Sequence, residues 1–345
     1  MSMKILIIKL SSLGDVLQTT PLVRSLSCQH NVYFLTYKQN KILLENNPNI
    51  SRLFILEPLA GNLLLPLRVI KNTLTLLFLA VARPNISVNL HKVYKMNMLL
   101  KWLGIRRRIG LVRAEHDHHY LTDAIIFNQE EHHIHQYLKV ADILKCKVLG
   151  YKMDYFPMKK NGDLSRKFNI DHPYFVCAPG GGRNRWAVMP NKRWLVESFV
   201  ELFNQFPTKD IYLVFIGDKF DAIIIKSILS RVGDEHHAIN VASKLSIDEI
   251  FRLVAGSLGY IGNDSFLLHL ASTTGKPTLG LFGPTNGKLL APLGSNDCFI
   301  QSSSECSPCY DANLGLNSRA YLCQDSICMK AITTEQVLSK IQHPP

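Results

Sequence analysis

Short apolar runs alternate with longer amphipathic stretches along most of this chain. In the first half, four apolar runs predict strands at 4–9, 32–37, 53–56 and 86–90. Stretches with helical spacing predict helices at 16–26, 41–46, 64–82 and 94–103. This alternation is typical of βαβ units around a parallel sheet.

The alternation stops in the polar segment 151–170 and then starts again. Further strands are predicted at 174–178, 211–216, 238–241, 259–261 and 278–282. Helices are predicted between them at 193–206, 221–231, 247–255 and 265–274. The sequence therefore predicts an α/β fold with two doubly wound domains, 1–165 and 166–345. A ligand cleft is expected between them, at the carboxyl ends of both sheets.

Two apolar segments bear on location. The opening run 4–9 reaches polar residues at once, which predicts a buried first strand rather than a secretory signal and favours the cytoplasm. The most apolar stretch, 63–82, contains Arg68 and Lys71. Each charge would cost roughly 2.5 to 3.5 kcal/mol at the centre of a bilayer. A buried or membrane-surface helix is therefore expected there, not a spanning one.

The positive charge of the chain, +12 overall, is concentrated in the first half. Residues 1–165 hold 22 Lys and Arg against 11 Asp and Glu, a net charge of +11. Such an excess suggests a polyanionic partner, namely nucleic acid, anionic lipid or a phosphorylated glycan, although it also serves solubility. The densest cluster is Arg106, Arg107 and Arg108, followed by Arg113. No nucleic-acid-binding module accompanies it, so nucleic acid is not expected as a partner.

The residues that follow the predicted strands carry candidate chemistry. Asp15 falls at a helix N-terminus, where a carboxylate either complements the helix dipole or takes part in catalysis. The turn Gly180–Arg183 and the segment 262–265 each follow a strand and could offer backbone N–H groups to an anion. The first strand lacks the Gly-x-Gly-x-x-Gly pattern, which disfavours an ordinary dehydrogenase.

Four segments together resemble glycosyltransferase family 9, the family of the ADP-heptose:lipopolysaccharide heptosyltransferases. They are KILIIKLSSLGDVLQTTPLVRSL (4–26), MPNKRW (189–194), GNDSFLLHLAS (262–272) and PTLGLFGPTN (277–286). The resemblance implies the GT-B fold, which consists of two Rossmann-like domains with a cleft between them. It covers almost the whole chain, with the motifs in the family's order.

The resemblance also implies roles for individual residues. Asp15, in the Ser-Leu-Gly-Asp motif, would be the general base, and Gly14 and the arginines 106–108 would help to hold the acceptor. The residues implied for the donor are Gly181, Gly182, Arg183, Lys192, Asp221, Asp264, Ser265 and His269. Among these, Lys192 would meet the diphosphate and Asp221 the ribose. Phe266 stands where the family usually has a glycine, and a side chain at this position would hinder the approach of the backbone to phosphate.

The implied reaction is an inverting transfer of heptose from ADP-heptose to a hydroxyl of the lipopolysaccharide inner core. The partners would be the ADP-sugar donor and an anionic glycan or glycolipid acceptor, with peripheral contact to the inner membrane. No catalytic metal is expected, because positive groups around the diphosphate can stabilise the leaving group. The alternatives are a protein heptosyltransferase acting on an autotransporter and a non-catalytic protein that binds sugar nucleotides.

Four of the eight cysteines cluster near the end of the chain. Cys306, Cys309, Cys323 and Cys328 have the spacing Cys-x2-Cys-x13-Cys-x4-Cys. Since disulfides are rare in the cytosol, this pattern at 306–328 favours a thiolate site for structural zinc or iron.

Overall fold

The computed structural model describes residues 2–59, 65–91, 94–158, 162–183, 188–206, 210–232, 238–311 and 314–342. The chain divides into two compact units, Met1–Phe156 and Pro157–Pro345. The described part of each unit contains one parallel sheet of six strands flanked by helices. The predicted α/β fold with two Rossmann-like domains is confirmed.

In the first unit the strand order is β3-β2-β1-β4-β5-β6. The strands are β1 Lys4–Ile8, β2 Asn31–Tyr37, β3 Arg52–Leu56, β4 Ile86–Asn89, β5 Arg107–Val112 and β6 Asp123–Ile126. The helices are α1 Leu13–Leu17, α2 Thr20–Ser27, α3 Lys41–Leu44, α4 Leu65–Ala82, α5 Tyr94–Trp102 and α6 His133–Ile143. Four of the five residues of β1 are fully buried, because a parallel strand in the middle of a sheet is covered on both faces.

The second unit repeats the same topology, in the order β9-β8-β7-β10-β11-β12. The strands are β7 Tyr174–Ala178, β8 Tyr212–Phe215, β9 Ala238–Asn240, β10 Gly259–Asn263, β11 Thr278–Phe282 and β12 Asp297–Gln301. The helices are α7 Leu164–Phe168, α8 Val196–Asn204, α9 Asp221–Leu229, α10 Ile247–Ala255, α11 Phe266–Thr273, α12 Gly287–Leu290, α13 Arg319–Leu322, α14 Ile327–Lys330 and α15 Thr334–Gln342. Trp194, Phe199, Phe203 and Phe215 form an aromatic row in its core.

The strand order reverses direction between β1 and β4 in the first unit and between β7 and β10 in the second. At such a point the connections leave on opposite faces of the sheet, and the loops at the carboxyl ends of the two strands diverge. Ligands of doubly wound folds bind in the crevice that results. Each sheet therefore has one edge at which a site is expected.

The boundary between the units lies nine residues before the predicted one, at Phe156–Pro157 rather than 165–166. The described residues of the intervening segment, 157–158 and 162–165, are bonded to α10 of the second unit. The backbone N–H of Met158 donates to Asp248 Oδ1 at 3.3 Å, and an Arg252 N–H donates to the carbonyl of Gly162 at 3.4 Å.

Helix α4 forms where the apolar stretch predicts a helix, but it is not a core helix. Only Leu79 and Ala82 of its 18 residues are buried. Among the described helices, α4 is the one that is long and apolar enough to cross a membrane by length and composition. Of the two expected environments, a buried one is wrong.

Candidate functional site

In the first unit, Asp15 lies just beyond the carboxyl end of β1. Ser12 is the N-cap of α1 and forms a capping box with Asp15. The Ser12 hydroxyl donates to Asp15 Oδ2 at 2.7 Å, and the Asp15 N–H donates to the Ser12 oxygen at 3.4 Å. These bonds fix the direction of the carboxylate, since they hold one of its oxygens against the helix terminus.

A buried lysine at the end of the same strand stands close to Asp15. Lys9 is 7% exposed, and its ammonium donates to Tyr137 Oη at 2.8 Å and to the carbonyl of Leu90 at 3.3 Å. Burial opposes its charge, but the nearby Tyr137 and Asp15 hold the pKa of Lys9 above its usual value. The switch point of the first sheet thus carries a fixed cation beside the candidate base, which sequence inspection did not single out.

His91, two residues after the end of β4, contacts the loop that follows β1. Its Nε2 accepts a hydrogen bond from the backbone N–H of Leu10. Burial, and then the positive charge of Lys9, lower the pKa of His91 to about 3. The imidazole is therefore neutral at pH 7 and serves as an acceptor that joins the loops after β1 and β4.

The lowered pKa of His91 predicts a loss of stability in acid. The unfolded chain takes up this proton near pH 6.5, whereas the folded protein resists it until the pH approaches 3, so acidification through this window favours unfolding. We expect His91→Gln to reduce the change in the free energy of unfolding between pH 6.5 and 4 by a few kcal/mol, as measured by urea unfolding. The control is His116→Gln, because that side chain is 84% exposed. A wild-type midpoint that stays constant over this range would contradict the assignment.

The structure does not bring Arg106, Arg107 and Arg108 to Asp15. Arg107 is in register with Ile86 of β4, and Ile86 with Ile5 near the start of β1, whereas Asp15 follows the end of β1. The arginines therefore lie at the opposite edge of the sheet. Their expected role in holding an acceptor beside Asp15 has no support in this placement.

Two of these three arginines have structural partners. Arg107 pairs with Asp123 of the neighbouring strand at 2.9 Å, and the pair raises the pKa of Arg107. Arg108 donates to the carbonyl oxygens of Ile105, Arg106 and Tyr120. Arg106 is exposed.

In the second unit, the glycine turn after β7 is packed tightly against its neighbours. Gly181 and Gly182 have positive φ angles of +112° and +70°. A Cβ on Gly181 would lie 3.1 Å from the Cβ of Ser265, and one on Gly182 would lie 2.0 Å from the carbonyl oxygen of Met189. The Arg193 Nε–H donates to the carbonyl of Gly181 at 2.8 Å. Only glycines fit this turn, which contacts the segment after β10 directly.

Asp221 secures the same turn from α9. Its two carboxylate oxygens accept from the N–H groups of Gly181 at 3.4 Å and Asp218 at 3.0 Å. It is 8% exposed, and burial raises its pKa. The expected ribose contact of Asp221 stays a prediction, since both oxygens already have protein partners. Beside it, the Arg183 guanidinium lies 3.9 Å from the ring centroid of Phe220.

The lysine and the aspartate of two separate motifs meet in an ion pair. Lys192 pairs with Asp264 Oδ2, which also accepts from the Thr285 hydroxyl at 2.7 Å. Burial alone would raise the pKa of Asp264, but Lys192 and His269 hold it below its usual value. The Lys192 ammonium is thus fixed at the carboxyl edge of the sheet, with 17% of its side chain still exposed.

Ser265 opens α11 without capping it. It is the N-cap residue, yet within the described chain its hydroxyl makes no capping hydrogen bond. The first N–H groups of the helix therefore depend on another acceptor, which makes this terminus suited to a phosphate. Phe266 is the first helical residue and is half-buried. His269 lies one turn further on and is 6% exposed.

One residue that joins the parts of this site was missed in the sequence. The fully buried Asn263 donates to the carbonyls of Pro179 and Gly180 at 2.8 and 2.9 Å, and it accepts from the Trp194 N–H at 2.9 Å. It links the loop that follows β7, the end of β10 and the Lys192 segment. Its position as the last residue of a buried strand, directly before Asp264, was the available signal.

The crowding at Gly182 predicts a strong effect of a single methyl group. We expect Gly182→Ala to destabilise the protein by about 1–3 kcal/mol and to weaken nucleotide binding, because the Cβ would collide with the Met189 carbonyl. Gly104→Ala is the matched control, since Gly104 also has a positive φ (+75°) but no atom within 4 Å of an added Cβ. Urea unfolding and ADP titration measure both effects. Equal losses in the two variants would contradict a steric origin.

The four clustered cysteines come near one another in the structure. Burial, and then the charges of Cys309 and Cys306, raise the pKa of Cys328 to about 11. Within the described ranges, however, no group of three or more His, Cys, Asp or Glu residues is placed to hold a metal. Cysteine thiolates are ligands that suit zinc or iron, but the arrangement of these four thiols is not that of a formed metal centre.

The cysteine segment is bonded to the loop that follows β11. The N–H of Cys309 donates to the carbonyl of Pro284 at 2.9 Å, and the Ser307 hydroxyl donates to the carbonyl of Gly283 at 2.7 Å. Gln301 donates to the carbonyl of Thr285, the residue that bonds Asp264. This segment therefore supports the loop after β11.

The chain is similar to a known protein family. The sequence model of the family described as glycosyltransferase family 9 (heptosyltransferase) matches residues 84–317. Lipooligosaccharide heptosyltransferase 2 of Haemophilus influenzae is 26% identical over 114 residues, which are 32% of this chain and 33% of that protein. The alignment with such relatives thus spans about a third of their length.

Two further similarities extend over nearly the whole chain. Lipopolysaccharide heptosyltransferase 1 of Campylobacter coli is 21% identical, with 99% of this chain and 98% of that protein covered. The structure of the Escherichia coli ADP-heptose lps heptosyltransferase II superposes with a TM-score of 0.73 at 20% identity, covering 99% of this chain and 98% of that one. At this identity the superposition supports the fold alone.

Proposed function

Since this chain belongs to glycosyltransferase family 9, we propose that it transfers heptose from ADP-heptose to a hydroxyl of the lipopolysaccharide inner core, with inversion. The observation that carries the proposal is the set of residues found at the switch point of each sheet. One holds an oriented carboxylate, Asp15, and the other holds a lysine, a glycine turn and an uncapped helix N-terminus. The names of the relatives supply the sugar and the acceptor class.

In this proposal Asp15 acts as the general base. It removes the proton of the acceptor hydroxyl while the hydroxyl oxygen attacks the anomeric carbon of the donor. The bond between that carbon and the diphosphate breaks as the new bond forms, and ADP leaves from the opposite face. The Ser12 bonds keep Asp15 pointing in one direction, and Lys9 adds a fixed positive charge beside it.

The second unit would stabilise the leaving diphosphate. The Lys192 ammonium and the first N–H groups of α11 lie at one sheet edge beside the glycine turn, and both favour negative charge. These groups can act without a catalytic metal. Asp264 holds Lys192 in place, and Asn263 and Asp221 hold the turn.

The partners follow from the reaction. The donor is an ADP-sugar and the acceptor is an anionic glycolipid, which the relatives' names favour over a protein acceptor. We propose the cytoplasmic face of the inner membrane as the place of the reaction.

Release of ADP by the purified protein tests this function. We expect release when ADP-heptose and a heptose-deficient lipopolysaccharide are both present, and little when the acceptor is omitted. A UDP-sugar in place of ADP-heptose is the donor control. Binding of ADP-heptose without any release in the presence of this acceptor would contradict the proposal and favour a non-catalytic sugar-nucleotide-binding protein.

A structural metal at the four cysteines is a separate proposal, which rests on the donor set of the thiols. We expect elemental analysis of the purified protein to find about one zinc or iron per chain. Cys306→Ser/Cys309→Ser should lose that metal, whereas Cys28→Ser, at an exposed cysteine in the first unit, should keep it. Metal-free wild-type protein with unchanged stability would contradict the proposal.

A further inference from the structure

Three polar side chains of α4, those of Arg68, Asn72 and Thr75, face the protein, whereas Lys71 and Thr73 are exposed. Asn72 accepts from the N–H of Glu57 at 2.7 Å and donates to its carbonyl at 2.9 Å. Thr75 donates to the carbonyl of Ile55 at 3.0 Å, and Arg68 donates to that of Pro58 at 3.1 Å. These bonds to the end of β3 fix the rotation of the helix about its axis.

The rotation turns an apolar stripe outward. The stripe consists of Leu67, Ile70, Leu74, Leu77, Phe78 and Val81. Their spacing follows the helical period, so the six side chains lie on one face, and their exposed fractions run from 48% to 78%. In water such a surface is unfavourable, because each large apolar side chain would gain free energy by being buried.

The part of the chain that contains the stripe also contains an exposed aromatic residue and an excess of positive charge. Helices α4 and α5 pack on the same core through Leu76, Leu79 and Leu100, so they lie on the same face of the sheet. Trp102 ends α5 and is 74% exposed. From residue 58 to residue 114 the chain contains ten Lys and Arg and no Asp or Glu.

We propose that the α4 stripe, together with Trp102 and the cations of 58–114, docks the first unit on an anionic lipid surface. An outward apolar stripe flanked by Trp and by Lys or Arg is the composition of helices that lie in a membrane interface. The helix lies on the membrane and does not cross it, because Arg68, Asn72 and Thr75 are bonded to the sheet. The charge of the segment selects anionic lipid over a second copy of this chain, which would carry the same positive charge.

Flotation of the full-length protein with lipid vesicles tests the docking. We expect binding to vesicles of phosphatidylethanolamine and phosphatidylglycerol and little binding to phosphatidylcholine. Leu77→Gln/Phe78→Gln should weaken the partition by tenfold or more. Lys101→Gln/Arg106→Gln should weaken it by roughly tenfold, and less at high salt. The matched control is Ile223→Gln/Leu322→Gln, two apolar residues of the second unit that are each 73% exposed.

Trp102 reports the same event by fluorescence. Its emission should shift to shorter wavelength with anionic vesicles, and Trp102→Phe should lose the shift. Unchanged urea midpoints show that the variants fold. Binding that is absent, or that survives Leu77→Gln/Phe78→Gln, would overturn the proposal. The proposal would also be overturned if the protein did not bind vesicles but self-associated through the stripe. None of these readouts needs donor or acceptor, so the docking and the proposed transferase activity fail independently.

Discussion

Asp15→Asn is expected to abolish acceptor-dependent ADP release while ADP-heptose still binds. Loss of a general base slows a reaction by about 10² to 10⁴-fold. The amide has the size of the carboxylate and can still accept from Ser12, so α1 should keep its N-terminus. The residues proposed to bind the donor belong to the second unit, and the affinity for donor should therefore be unchanged in a calorimetric titration.

The chain supplies a matched control for this variant. Glu249 occupies the same capping-box position on α10, where it bonds Ser246. Glu249→Gln removes a carboxylate from the same capping position, where it also pairs with Lys167 on the surface at 3.1 Å, and both variants should lose roughly 1 kcal/mol of stability. Only Asp15→Asn should lose turnover. If Asp15→Asn retained more than a tenth of the wild-type rate, Asp15 could not be the base.

The second large effect is expected at Lys192, because it combines donor binding with the neutralisation of a buried carboxylate. Lys192→Met leaves Asp264, 6% exposed, with Thr285 but without its cation. A buried pair broken on one side costs about 3 kcal/mol or more. Affinity for ADP should fall together with stability, and urea unfolding and calorimetry measure the two quantities.

A double variant separates the two roles of Lys192. In Lys192→Met/Asp264→Asn the buried charge is gone, and the amide oxygen at position 264 can still accept from the Thr285 hydroxyl, so stability should recover. The affinity for ADP should stay as low as in Lys192→Met. Recovery of both would show that Lys192 has only a structural role. In the wild type the contribution of this pair is complete above the pKa of an unfolded aspartate, about 3.9, and is lost as the pH falls through the lower folded value.

The sequence predicts buried strands well and polar strands poorly. β1 and β7 are apolar runs, as expected for central parallel strands. β5 begins with Arg107 and Arg108, and β6 begins with Asp123. Their polar starts conceal the pattern, so neither strand was predicted. Arg106, Arg107 and Arg108 were taken for a binding cluster because the partner of Arg107, Asp123, lies 16 residues further along the chain.

Most of the residues proposed to bind the donor were singled out in the sequence, because the glycines and Asp264 follow strands whose ends must meet at one edge. Asn263 and Thr285 were not, since each matters through a contact between distant segments. The pattern of apolar residues also did not predict which face of α4 turns outward. Apolar residues occur on most of its circumference, and only the bonds of Asn72 and Thr75 decide which face turns outward.

Docking through the outward stripe of α4 would also set a minimum distance between the membrane and the acceptor hydroxyl. A helix with its side chains is about 10–12 Å thick, and α4 would lie between the lipid and the sheet that carries Asp15. A hydroxyl closer to the bilayer than this thickness cannot reach Asp15 while the protein is docked. Acceptors with a short headgroup should therefore react in detergent solution but poorly on vesicles, so that height above the membrane selects the substrate.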